Sequence, residues 1–151
     1  MPVVRNPQFN FKEGFCWTDI NSTFLKARLK SKGIFDVVSM SLFTKTLVPD
    51  WFYVVVINTT FMSLYVDNFI NNTSHFQIND ARQVPIIIPD NDQLAQARSL
   101  FENAYSLKRQ QLHQQISEDT ALKAIDIIEN KIEDLVRKIY QIYLSFSIPC
   151  T

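Results

Sequence analysis

The chain has 151 residues, 46% of them hydrophobic and 20% charged, which is enough for one ordinary packed core. Glycine occurs only twice, at Gly14 and Gly33, where average usage of roughly 7% would give about ten. Two glycines nineteen positions apart cannot form the dinucleotide, P-loop or nucleophile-elbow signatures, so a self-contained Rossmann enzyme, P-loop NTPase or serine hydrolase of the usual kind is excluded. Fifteen basic and fifteen acidic residues cancel, and any basic surface has to be local. Residues 1–85 carry eight basic and six acidic side chains (+2), and residues 86–151 carry seven and nine (−2). The chain is instead rich in amide and aromatic groups, with 11 Asn, 12 Phe and 5 Tyr.

Taken in chain order, the N-terminal MPVVRNPQFNF has no basic region followed by an apolar stretch and is not read as a signal peptide. Cys16 and Cys150 fit no C-x-x-C or Cys/His metal spacing and read as thiols of a cytoplasmic protein. Lys26-Ala-Arg28-Leu-Lys30-Ser-Lys32 is the densest basic run. If extended, it lines up Lys26, Arg28, Lys30 and Lys32 on one face about 7 Å apart, a spacing suited to a phosphate backbone. The alternative is a solvated edge strand whose lysines prevent edge-to-edge pairing. Phe35-Asp-Val-Val-Ser-Met-Ser-Leu-Phe43 reads as a strand between Gly33 and Pro49.

Residues 51–70 have the length of a membrane span, but Asn58, Thr59, Thr60, Ser63, Asp67 and Asn68 interrupt them, so they read as a buried core element. Val54-Val-Val-Ile57 favours a strand by propensity, whereas Asp50 as an N-cap and a break near Asn58 favour two helices. Periodicity does not choose between them. Next comes the polar stretch Asn71-Asn-Thr-Ser-His-Phe-Gln-Ile-Asn-Asp-Ala-Arg82. Extended, it places His75, Gln77 and Asn79 on one face and Phe76 and Ile78 toward a core. Asn and Gln amides pair with adenine edges and Arg with guanine; the alternative is a loop of turn formers in which Asn79-Asp80 caps a short helical turn. Phe76–Ile78 and Ile86–Ile88 read as short strands.

Downstream of Pro89 the composition turns to Gln, Leu, Ile, Lys and Glu. Asp92 to about Leu112 has Leu94, Ala97, Leu100, Phe101, Ala104, Tyr105 and Leu107 at spacings of three and four, and is read as a helix. A second helix runs from about Ser117 to Tyr143, with Ser117-Glu-Asp-Thr120 as its capping region and a stripe of Leu122, Ile125, Ile128, Ile132, Leu135, Val136, Ile139 and Ile142. The fold class expected is α+β, a small mixed α/β body followed by long C-terminal helices.

No catalytic constellation emerges. His75 and His113 are far apart, and there is no H-E-x-x-H, metal-spaced carboxylate set or nucleophile signature. Several segments in order do resemble a known family: Phe11-Lys-Glu-Gly14 with Trp17-Thr-Asp-Ile20, Gly33-Ile-Phe-Asp36 leading to Ser41-Leu-Phe43, and Ile57-Asn-Thr59. Phe76-Gln-Ile-Asn-Asp80, Pro85-Ile-Ile-Ile-Pro89, Asp92-Gln93, Ile132-Glu-Asp-Leu-Val136 and Ile139-Tyr140 continue the match. Together they are similar to the C-terminal target-recognition region of type II-G and BREX-like adenine-specific DNA methyltransferases, over about residues 11 to 143.

The resemblance implies a division of labour. An upstream domain, absent from this chain, would bind S-adenosylmethionine and methylate a flipped adenine, while the region like this one contacts duplex DNA and selects the site. It implies a truncated piece or separate specificity fragment of such an enzyme, with no cofactor in this chain, and helix, break and helix between Asp50 and Ile70. The expected organisation is a target-recognition body over 1–89 and a helical segment over 90–151 that packs on the body, on the methyltransferase domain or subunit, or on a second copy. Lys26, Arg28, Lys30 and Lys32 are expected on phosphates, and Asn72, Thr73, His75, Gln77, Asn79 and Arg82 at or near the DNA. The competing expectation is a helical protein-interaction module that does not touch DNA.

Overall fold

A computed structural model of the chain describes residues 7–20, 24–33 and 39–146. It is α+β: a three-stranded antiparallel sheet and five α-helices among the described residues, the last two long. Contacts divide the chain into two compact units, Met1–Asn58 with Met62–Val84, and Thr59–Phe61 with Pro85–Thr151.

The first unit is built on the sheet, β1 (Gly14–Thr18), β2 (Ala27–Lys30) and β3 (Ser39–Leu42), in the order β2-β1-β3. Cross-strand pairs share a face. Trp17 opposes Ala27 and Met40, and Phe15 opposes Leu29 and Leu42, which gathers the apolar side chains on one side. Cys16 opposes Arg28 and Ser41 on the other side, and its free thiol is buried. Gly14 is required by space: a Cβ there would stand 2.5 Å from the Leu42 carbonyl oxygen and 2.9 Å from the Phe43 ring. Of the strand expected over 35–43, Ser39–Leu42 forms as β3, and residues 35–38 lie outside the described residues, as does Cys150.

Residues 50–70 resolve into α1 (Asp50–Ile57) and α2 (Thr60–Phe69), with the break at Asn58 and Thr59. In α1, Phe52, Val54, Val55, Val56 and Ile57 are all buried. A helix apolar nearly all round leaves no periodic signal, and its β-branched run looks like a strand. Pro49, not Asp50, holds the N-cap position; Asp50 is the first helical residue, and its carboxylate accepts from the Thr44 N–H. Phe15 stacks on Tyr53 with ring centroids 5.3 Å apart. Trp17, Phe15, Phe52, Met62 and Val56 are the most deeply buried large side chains of this unit.

Phe76–Ile78 does not form a strand. His75 makes a single antiparallel bridge to Ile20, and the Phe76 N–H donates to the Asp19 carbonyl. The chain then turns into the short helix α3 (Ile78–Ala81). Asp80 decides this: its Oδ2 accepts from the Gln77 N–H at 2.8 Å and from Asn71 Nδ2 at 3.0 Å, giving the backbone a helical alternative to a ladder. Ile86–Ile88 is likewise no strand; residues 85–90 carry neither helix nor ladder. Pro85 and Pro89 at its ends have no N–H to donate, and no segment among the described residues pairs with it.

The second unit contains α4 (Asn91–Leu112) and α5 (Glu118–Phe146), which pack against each other. α4 begins with a reciprocal capping box, Asp90 Oδ1 accepting from the Gln93 N–H and Gln93 Oε1 from the Asp90 N–H. It ends in a Schellman arrangement, with the Gln115 N–H on the Gln110 carbonyl and the Gln114 N–H on the Gln111 carbonyl. Gln114 supplies the left-handed residue at φ 56°. Ser117 caps α5, its Oγ accepting from the Thr120 N–H. Ala121, Leu135, Val136, Ile139 and Tyr140 are buried, whereas Leu122, expected in the buried stripe, is 54% exposed because the neighbouring Ala121 occupies the inward position. Glu133 accepts from the N–H groups of both Thr60 and Phe61, at 2.8 and 2.9 Å, and so completes the first turn of α2.

Candidate nucleic-acid interface

The basic run forms the outer strand of the sheet only in part. β2 covers Ala27–Lys30, so Arg28 and Lys30 alternate with Ala27 and Leu29 as expected, while Lys26 and Lys32 flank the strand. Lys26, Arg28 and Lys32 are exposed, and no side-chain hydrogen bond or ion pair within the described residues engages them. Lys30 differs. Its Nζ donates to the carbonyls of Lys12 and Gly33, at 3.1 and 2.9 Å, and lies 5.3 Å from the centre of the Phe43 ring. Lys30 therefore ties the segment after β2 back onto the first unit. The exposed edge of β2 is partly closed by Asn58, whose Oδ1 accepts from the Ala27 N–H at 2.6 Å and whose Nδ2 donates to the Ala27 carbonyl at 2.9 Å. A side-chain amide there takes the place of a neighbouring strand.

The polar stretch is an ordered loop and a helical turn, not one extended segment. Asn71 organises it, with Nδ2 donating to the His75 carbonyl and to Asp80, and Oδ1 accepting from the Thr73 N–H. Thr73 Oγ1 also donates to the His75 carbonyl. His75 Nδ1 lies 2.9 Å from Asp19 Oδ2, within hydrogen-bond reach. Trp17 Nε1 donates to the Phe76 carbonyl in the core, and Phe76 packs on the Trp17 ring at 5.8 Å. The loop is thereby pinned to β1 from beneath. Asn72, Thr73, His75, Gln77, Asn79 and Arg82 are all exposed. The alternation that would put His75, Gln77 and Asn79 on one extended face ends at Gln77, where α3 begins. Asn79 instead accepts from Arg82 Nη1 at 3.3 Å, linking the last two expected contacts to each other.

Between this loop and α2 lies a cleft of about 250 Å³. Phe24 and Leu25, immediately upstream of Lys26, line it together with Asn71–Ser74 and the Asp67 side of α2. The Leu25 N–H donates to the buried Ser63 Oγ at 3.1 Å, which fixes the approach of the basic run to the helix. The residues just upstream of the basic run and the start of the polar stretch thus share one cleft. Sequence reasoning missed Phe24, Asp67 and Ser74 as members of it. The available signal was an aromatic residue directly preceding a basic run; Asp67 carried none, since only the turn of α2 brings it there.

No group of His, Cys, Asp and Glu side chains among the described residues could hold a metal ion, and no helix among them is long and apolar enough to cross a membrane. Compared with known proteins, the chain matches no family and no curated protein.

Proposed function

We propose that the chain is a DNA sequence-recognition domain of a restriction-modification type adenine-specific DNA methyltransferase, placing the enzyme on its target site. The observation that carries this reading is a shared cleft: Phe24 and Leu25, which lead into a run with three cations unengaged among the described residues, line it together with the ordered amide-rich loop at Asn71–Ser74. Lys26, Arg28 and Lys32 would contact phosphates and fix register, and the exposed amides of the loop, with Gln77, Asn79 and Arg82, would reach base edges. Lys30 is better suited to shaping the loop than to touching DNA. On this reading the partners are double-stranded DNA and a methyltransferase domain or subunit that holds S-adenosylmethionine, and the setting is cytoplasmic.

The test is an anisotropy titration of the full chain with labelled random-sequence duplex across a salt series. Binding is expected whose logarithm falls linearly with the logarithm of salt. Replacing Lys26, Arg28 and Lys32 together by Ala should reduce that slope by about 2 to 3, at roughly 0.9 per phosphate contact. Absence of binding at the lowest salt overturns the proposal. A second reading, a helical module docking a protein partner or a second copy, is favoured by one observation: Tyr105, Leu112, Leu122 and Ile127 on α4 and α5 are exposed. That reading requires self-association or partner capture without DNA affinity.

A further inference from the structure

We infer that the cleft beside the Asn71–Ser74 loop takes an unstacked nucleobase carrying an exocyclic amino group. The inference rests on the DNA-binding reading and goes beyond contacts to a paired duplex. The cleft has an apolar floor, with Leu25, Val66 and Phe76 buried, and an aromatic ring at its rim in Phe24, which is 45% exposed. Its size suits a single planar ring system and falls below the range of sites that enclose drug-sized ligands. Base-on-aromatic stacking is tolerant of sequence and is strong enough to hold a base out of its stack.

The polar groups of the cleft divide into two kinds. Asn71 and Thr73 are used internally, both donating to the His75 carbonyl while Asn71 Oδ1 accepts from the Thr73 N–H, so the loop is organised before any ligand arrives. The Asp67 carboxylate, the Asn72 amide and the Ser74 hydroxyl line the same cleft and have no side-chain partner among the described residues. A carboxylate accepts hydrogen bonds and donates none, which repels a phosphate and suits the amino groups of cytosine, adenine or guanine. An amide beside it can both donate and accept, completing recognition of a base edge. Thymine has no amino group, and its one donor on that edge, N3–H, is flanked by two carbonyl oxygens that repel a carboxylate. Lys26, one residue beyond Leu25, is placed to hold the backbone outside the cleft.

The full chain would be titrated at low salt with one labelled duplex in four forms: fully paired, with a single unpaired cytosine, with a single unpaired thymine, and with an abasic residue at the same place. Tighter binding of the unpaired-cytosine duplex by about tenfold over each of the other three is expected. Asp67→Asn and Asn72→Ala should each bring the unpaired-cytosine form within about twofold of the other three, and Asp67→Asn should do so while leaving the paired duplex unchanged. Both side chains are exposed and make no hydrogen bond or ion pair among the described residues, so circular-dichroism melts of the variants should overlay the parent. Equal binding of all four forms overturns the inference and leaves DNA recognition standing, as does a cytosine preference that survives both substitutions. Failure to bind any form overturns DNA recognition, and this inference with it.

Discussion

On the outer strand of the sheet, the N–H and C=O of Ala27 face away from β1, and Asn58 bonds both. Asn58 also terminates α1, so one residue ends a helix and closes a strand edge. Ala27 itself is buried, but Asn58 is exposed, and water can replace part of what its amide does. Asn58→Ala should therefore destabilise the chain by about 1 kcal/mol, the net worth of a typical hydrogen bond rather than the full cost of an orphaned group. Asn58→Asp should cost at least as much, because it retains an acceptor for the Ala27 N–H but turns a second acceptor against the Ala27 carbonyl. Thermal melts decide this; equal melting of Asn58→Asp and the parent would show that the Nδ2 bond contributes nothing. The sequence could single out Asn58 only as an interruption of an apolar run. Its pairing with a strand thirty-one positions earlier is a tertiary fact that no local pattern contains.

At the scale of elements, legibility followed the regularity of burial. α4 and α5 are each apolar on one side and polar on the other, and both begin with side-chain caps at Asp90 and Ser117, so pattern and start signal agree. α1 is buried on nearly every side and gives no period, which is why its helix rested on resemblance and not on spacing. Phe76–Ile78 fails as a strand because Asp80 reaches back to the Gln77 N–H. Ile86–Ile88 fails because nothing among the described residues pairs with it, although three isoleucines between prolines look the part. The turn from α4 to α5 shows a further departure from expectation. Its left-handed position at Gln114 is one that glycine ordinarily fills. A side chain there costs roughly 1 to 2 kcal/mol, while glycine loses up to about 1 kcal/mol through its freer unfolded state. Gln114→Gly should thus raise stability by roughly 0.5 kcal/mol or more, seen as a melting temperature about 1 to 3 °C higher. A lower melting temperature would mean that the Gln114 side chain contributes more than its backbone strain removes.

For the whole molecule, the cancelling charges turn out to be distributed by unit. Residues 59–61 carry no charge, so the first unit holds eight basic and six acidic residues and the second holds seven and nine. A zero total therefore conceals a first unit of +2. On the proposed DNA-recognition reading, the small excess predicts weak non-specific affinity, and discrimination would come from the exposed amides and Arg82, each good bidentate base contact being worth about 1 to 3 kcal/mol. This separates two classes of substitution that a single binding constant would merge. The full chain would first be used to select a preferred sequence from a random duplex library. Gln77→Ala and Arg82→Ala should then weaken binding to that sequence by about 5- to 100-fold while leaving random duplex within about twofold. Substituting the cations should lower both together. The sites are well placed for such a split, since Gln77 opens α3 and Arg82 closes it, whereas the cations belong to the strand and its flanks. Equal losses on selected and random duplex for Gln77→Ala and Arg82→Ala would remove them from base recognition and leave the loop at Asn72 and Thr73 as the reading element.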